Sequence, residues 1–156
     1  ASLSGHLVFT TLHTNDAVGA VPRLLDMGVE PYLLASSLAL SMGQRLVRVI
    51  CKSCKEQYQP EKSQLSALGL EEKESFVRGR GCGRCFRTGY KGRIGIFEAL
   101  SISGPVREFI MARADSNSIK QQALKEGLVT MMDDGRDKVR RGLTTVEEVI
   151  RVAHTI

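Results

Sequence analysis

Apolar and polar positions alternate in two parts of the chain and fall at helical spacing in others. In GHLVFTTLH, residues 5–13, the β-branched and aromatic side chains Val8, Phe9, Thr10 and Thr11 predict a strand ending at His13. Thr14, Asn15 and Asp16 follow, and Asn15 or Asp16 is placed to cap a helix reaching Met27, with Leu24 and Leu25 on its apolar face and Gly28 as a left-handed stop. Pro22 lies inside that span. A proline within a helix costs roughly 3 kcal/mol, so this helix is expected to kink or to start late. A second helix is expected from Pro31, a favoured first-turn residue, to about Met42. Gln44–Ile50 and Arg93–Leu100 read as strands, the latter alternating Ile94, Ile96 and Glu98 against Gly95, Phe97 and Ala99. The last third reads as helical. Ser118 with Gln121 and Thr144 with Glu147 have capping-box spacing, and a helix from Thr130 to Arg141, closed by Gly142, lies between them.

The pattern fails between Cys51 and Arg93, where apolar residues are sparse and glycine recurs at 79, 81, 83, 89 and 92. One short helix, Lys62–Leu68, is expected there, and the stretch needs a source of order other than a core of its own. The chain therefore divides into 1–50, a subdomain 51–92, and 93–156. At 156 residues, 42% hydrophobic and 25% charged, it has ordinary globular usage. The longest apolar stretch, Tyr32–Leu40, is broken by Ser36 and Ser37 and falls short of the ~18 residues of a membrane span. ASLSGHLVFTTLH has no basic segment and no long apolar segment of a secretory signal, and opens mid-pattern as a fragment would. The net charge of +5 is uneven: residues 44–93 hold 12 basic and 5 acidic side chains.

All four cysteines lie in that basic segment, as Cys51-x-x-Cys54 and Cys82-x-x-Cys85. Two residues between ligands allow a turn that aims both sulfurs at one point, and two such turns complete the tetrahedron that Zn²⁺ accepts. Four thiolates leave no position for water, so the site would be structural. Redox dithiols are the alternative, but these need only one pair. His6 and His13 are seven residues apart, which on an unbroken strand places them on opposite faces roughly 23 Å apart. They cannot share one metal. His13 instead occupies the carboxyl end of a strand before a helix, where α/β sheets bind ligands; His154 reads as a surface residue. No G-x-x-x-x-G-K-[ST] loop is present, so no catalytic residue is expected and the chain should not hydrolyse ATP by itself. Ile94–Glu98 is the nearest approach to an apolar strand ending in a carboxylate, a weak signal alone.

In order along the chain, GHLVFTTLHTNDA (5–17), RLLDMGVEPYLLASSL (23–38), QRLVR (44–48), CKSC, CGRC, TGYKGRIGIFE (88–98) and DDGRDKVRRGLTTVEEVIRV (133–152) resemble the ATPases of type II secretion and type IV pilus assembly. The resemblance implies an α/β fold: the C-terminal part of a RecA-like ATPase domain, its rear portion in 1–50, with a zinc-binding insert and a C-terminal helical bundle. It implies that Cys51, Cys54, Cys82 and Cys85 bind structural Zn²⁺. It makes His6 and His13 a histidine-box pair near the nucleotide, and sets Arg45 on an intersubunit surface. For the full-length protein it implies ATP and Mg²⁺, a homo-hexamer, and partners in an inner-membrane platform and other cytoplasmic secretion or pilus components. The place implied is cytoplasmic and peripheral at the inner membrane, with no nucleic acid. The competing reading is a stand-alone zinc-ribbon module gripping nucleic acid or an anionic surface, for which Phe86 and Tyr90 form a thin stacking platform.

Overall fold

The structure, a computed structural model, describes residues 2–153; His154 lies outside them. It is mixed α/β: α1 (Ala20–Asp26), α2 (Pro31–Ser37), β1 (Leu40–Ile50), β2 (Lys55–Tyr58), α3 (Lys62–Leu68), β3 (Phe76–Gly79), β4 (Tyr90–Ser101), α4 (Gly104–Met111), α5 (Ser116–Lys125), α6 (Met131–Arg140) and α7 (Val146–Ala153). β1 pairs with β4 and β2 with β3, in two separate two-stranded sheets. The chain folds as two compact units, one of Ala1–Gly43 with Glu98–Val129 and one of Gln44–Phe97 with Thr130–Ile156.

In the first unit, residues 6–14 form no strand and are mostly exposed, Phe9 at 88%. Their β-branched composition suits a ladder, but a strand exists only with a neighbour, and none of the described residues pairs with them. The helix after them starts late, as Pro22 requires. Asp16 Oδ1 accepts the Gly19 N–H at 2.8 Å, α1 begins at Ala20, and Pro22 falls in the first turn, where its missing N–H has no partner to lose. Gly28, at φ +88°, stops it. α2 starts at Pro31 but stops at Ser37, five residues before Met42. Ser36 and Ser37 turn their hydroxyls back onto the Leu33 carbonyl, and Leu40–Met42 join β1, whose ladder to β4 satisfies their backbone. The core joins Val21 of α1, Leu34 of α2, Leu100 and Ile102, and Val106, Ile110 and Ile119 of α4 and α5. Ser103 caps α4 and Asp115 caps α5, so Ser118 lies inside α5 and its hydroxyl donates to Asp115.

In the second unit, β2 and β3 are antiparallel, with Lys55 opposite Gly79 and Tyr58 opposite Phe76. α3 spans the expected Lys62–Leu68, framed by a Glu61/Gln64 capping box and by Gly69 at φ +61°. The few apolar residues of this stretch, Leu65, Leu68, Leu70 and Phe76, are buried against Val139 of α6 and Val146 and Val149 of α7. Residues some 60 to 80 positions later complete a core that the stretch cannot build alone. Thr130 caps α6 reciprocally with Asp133, and Gly142 at φ +63° follows the helix. Thr145 rather than Thr144 starts α7: its Oγ1 accepts the Glu148 N–H, while Thr144 Oγ1 donates to the Arg48 carbonyl at 2.8 Å.

Candidate metal centre

The two cysteine pairs meet. Their four sulfurs lie within 4.8 Å of one another, with Cys51–Cys82 at 4.0 Å and Cys54–Cys85 and Cys82–Cys85 each at 3.8 Å. A metal bonded to four thiolates at about 2.3 Å holds them about 3.8 Å apart, whereas a disulfide needs about 2.05 Å. The donor set and its spacing fit a tetrahedral, closed, structural metal site. It is the one such cluster among the described residues, and neither His6 nor His13 is in it.

Local backbone explains the convergence. The Cys54 N–H donates to Cys51 O, and the Cys85 and Arg87 N–H groups to Cys82 O, closing the turns on which the sulfurs sit. Backbone N–H groups also point at the sulfurs: Gly81 to Cys54 at 3.3 Å, and Cys82 and Gly89 to Cys85 at 3.2 and 3.3 Å. Burial raises the Cys85 thiol, but the Cys82 and Gly89 N–H groups, with the Cys82 and Cys54 thiols, outweigh it and bring it down to about 6. Cys54 is pushed up to about 12, chiefly by burial, with Gly81 opposing. Without a metal Cys54 is thus protonated at neutral pH, and metal binding displaces that proton. The ribbon runs so close that a Cβ on Gly79 would lie 1.9 Å from the Gly89 carbonyl oxygen. Gly79→Ala is expected to cost about 2 kcal/mol and to loosen metal binding, since the carbonyl must move to make room. A competition titration against a chromogenic chelator, with a urea melt, measures both.

Three contacts fix the strands that deliver the cysteines. The Ile50 N–H donates to Leu143 O at 2.9 Å, and the Cys51 N–H to Gly89 O at 2.9 Å. The third is Glu148, whose side chain is 1% exposed. It accepts the Arg48 N–H at 2.9 Å, Arg48 Nη2 at 2.6 Å and both arms of Arg151 at 2.9 and 3.0 Å. Burial alone would raise this carboxyl, but the Arg48 and Arg151 guanidinium groups lower it to about 2. Arg48 also stacks 4.1 Å from the centre of the Tyr90 ring, whose hydroxyl hydrogen-bonds Thr145. The sequence marks this network only as two arginines and a glutamate in QRLVR and VEEVIRV; nothing in their spacing joins residues 100 positions apart.

The remaining candidates are separate. His6 is exposed with Ser4 Oγ 3.0 Å from its Nδ1, His13 is exposed, and Arg45 is half-buried in β1. Glu98 is 2% exposed and accepts the Ala17 N–H at 3.1 Å, which fastens the segment before α1.

Residues 1–151 match the family model described as "Type II/IV secretion system protein". The chain belongs to that family. It is 46% identical over 154 residues to a type II secretion system protein E of Pseudomonas aeruginosa and, equally, to a type II secretion system ATPase E of Vibrio cholerae. It is 44% identical to the type IV pilus assembly ATPase PilB of Thermus thermophilus. These matches cover 96 to 97% of this chain but 30% of the two type II relatives and 17% of the pilus one. Among the described residues, no helix is long and apolar enough to cross a membrane.

Proposed function

We propose that this chain is the part of a secretion or pilus-assembly ATPase that carries the histidine box and the tetracysteine lobe. The carrying observation is the match of nearly the whole chain, at about 45% identity, to relatives bearing those names. In this reading, residues 1–50 are the rear portion of a RecA-like core, 51–92 a lobe ordered by Zn²⁺ on Cys51, Cys54, Cys82 and Cys85, and 93–156 the return strand and closing helical bundle. A divalent d¹⁰ ion with no geometric preference of its own suits the four-thiol site, and supplies cross-linking rather than chemistry.

ATP and Mg²⁺ are bound by a phosphate loop elsewhere in the full-length protein, because no G-x-x-x-x-G-K-[ST] stands in these residues. His6 and His13 lie on an exposed segment, free to meet the nucleotide or a neighbouring subunit and to couple hydrolysis to movement of a hexameric ring. The ring works on the cytoplasmic side against an inner-membrane platform that drives protein export or pilus assembly.

Turnover measurements test this. The chain by itself is expected to show no hydrolysis of Mg²⁺-ATP, and the full-length protein to hydrolyse it. His6→Ala or His13→Ala in the full-length protein is expected to lower kcat by about tenfold or more with nucleotide binding retained, as for lost positioning. Variants with undiminished kcat would remove the histidines from the reading.

A further inference from the structure

The second cysteine turn carries a side chain that the fold does not use. Phe86 is 90% exposed, and it and Arg87 sit at φ +51° and +63°, in the left-handed region. Bulky residues are uncommon there, and glycine would make the same turn without strain. The ribbon uses glycine at 79, 81, 83, 89 and 92, whereas this turn presents an exposed ring.

The sequence that surrounds it is cationic only. Residues 79–97 contain Arg80, Arg84, Arg87, Lys91 and Arg93 and no acidic residue. The metal-holding turns gather four cations. Arg84 Nη1 donates to Ser53 Oγ at 3.3 Å, beside Lys52; the Arg80 N–H donates to Cys54 O, and the Arg87 N–H to Cys82 O, each at 2.9 Å. Lys52, Arg80, Arg84 and Arg87 are exposed and, among the described residues, form no ion pair. They are not consumed by the thiolates, whose hydrogen bonds come from the backbone of Gly81, Cys82 and Gly89.

The chemistry of this tip selects among anionic partners. Nucleic acid calls for a row of stacking rings, and the nearby Tyr90 is half-buried with Arg48 over its face, leaving Phe86 alone. A protein interface calls for an apolar centre of several residues, whereas Phe86 stands among Arg84, Arg87, Thr88 and glycines. A bilayer asks for no complementary shape: one ring enters the interfacial zone while cations stay at the phosphates.

We infer that the knuckle around Phe86 is a membrane-contact tip, with its ring entering the surface of an anionic bilayer and Lys52, Arg80, Arg84 and Arg87 on the lipid phosphates. It rests on the proposed work at a membrane, and its assay needs no ATP, so its failure leaves that reading to the turnover test. A single ring with four cations gives weak, salt-sensitive binding, suited to orienting a subunit held there by other contacts.

The chain has no tryptophan, so Phe86→Trp places a single reporter at the tip. With zinc loaded, its emission is expected to shift to the blue and to be quenched by brominated lipid on vesicles of equal parts phosphatidylcholine and phosphatidylglycerol, but not on phosphatidylcholine alone. Co-sedimentation of the wild-type chain should fall about fivefold for each cation replaced in Arg84→Ser and Arg87→Ser, and severalfold in Phe86→Ser, with unchanged melts. Equal binding to both vesicles, an unshifted tryptophan, or variants that bind like wild type would overturn the inference. So would preferential binding of single-stranded DNA or polyglutamate in competition with the anionic vesicles.

Discussion

Stripping the metal is expected to unfold one unit of this protein and spare the other. Chelation, or Cys82→Ser, should abolish hydrogen-exchange protection across residues 44–97 and 130–153 while α4 and α5 keep theirs. The reason is how the core is divided. Leu65, Leu68 and Phe76 pack on Val139, Val146 and Val149, so a lobe that loses its metal takes α6 and α7 with it. Val106, Ile110 and Ile119 pack on Val21, Leu34 and Leu100 and owe nothing to the cysteines. Structural zinc contributes about 10 kcal/mol or more to domains of this kind, and a serine hydroxyl does not ionise to replace a thiolate ligand. Uniform loss of protection along the chain, or a melt indifferent to chelator, would refute this division. Metal analysis by mass spectrometry should find one zinc per chain.

Glu148→Gln is expected to destabilise the zinc-loaded second unit by about 3 kcal/mol at neutral pH. The Glu148 side chain is buried while the Arg48 and Arg151 side chains are about half exposed, and the substitution removes the carboxylate that both of them bind. The folded carboxyl is held at about 2 against an ordinary value of 4.5, a gap that corresponds to about 3 kcal/mol. A lowered folded value means that the stabilisation is complete above about pH 4.5 and is lost as pH falls from there towards 2. Acid strips a thiolate-bound metal before this window opens, so urea melts of the zinc-loaded wild type and Glu148→Gln at neutral pH provide the test; equal melts would show that packing, not charge, holds the site.

Much of the element pattern was legible because its causes are local. α3 spans Lys62–Leu68 as expected, and Pro22 delays α1 by an argument that needs only the proline ring. The cysteine site was legible for the same reason: two C-x-x-C turns constrain their own sulfurs, and four thiols have few alternatives to one metal. The histidine segment was misread as a strand because β-propensity describes a surface that fits a neighbour, and does not supply one. α2 was read too long because an apolar run such as Leu38–Leu40 suits either period until the ladder to β4 decides it.

The sequence by itself determined the four-cysteine cluster, the family, the late start of α1 and the left-handed stops at Gly28 and Gly142, all of which depend on residue type and order along the chain. The tertiary structure alone decided where the sparse apolar residues of the insert find a core, and which side chains hold β1, the strand that leads into Cys51. Arg48, Glu148 and Arg151 act together because folding brings β1 to α7 across 100 positions, and the cost of burying a carboxylate makes such a meeting specific. No periodicity encodes that distance. Only the packed chain places the charges where each offsets the other's loss of water.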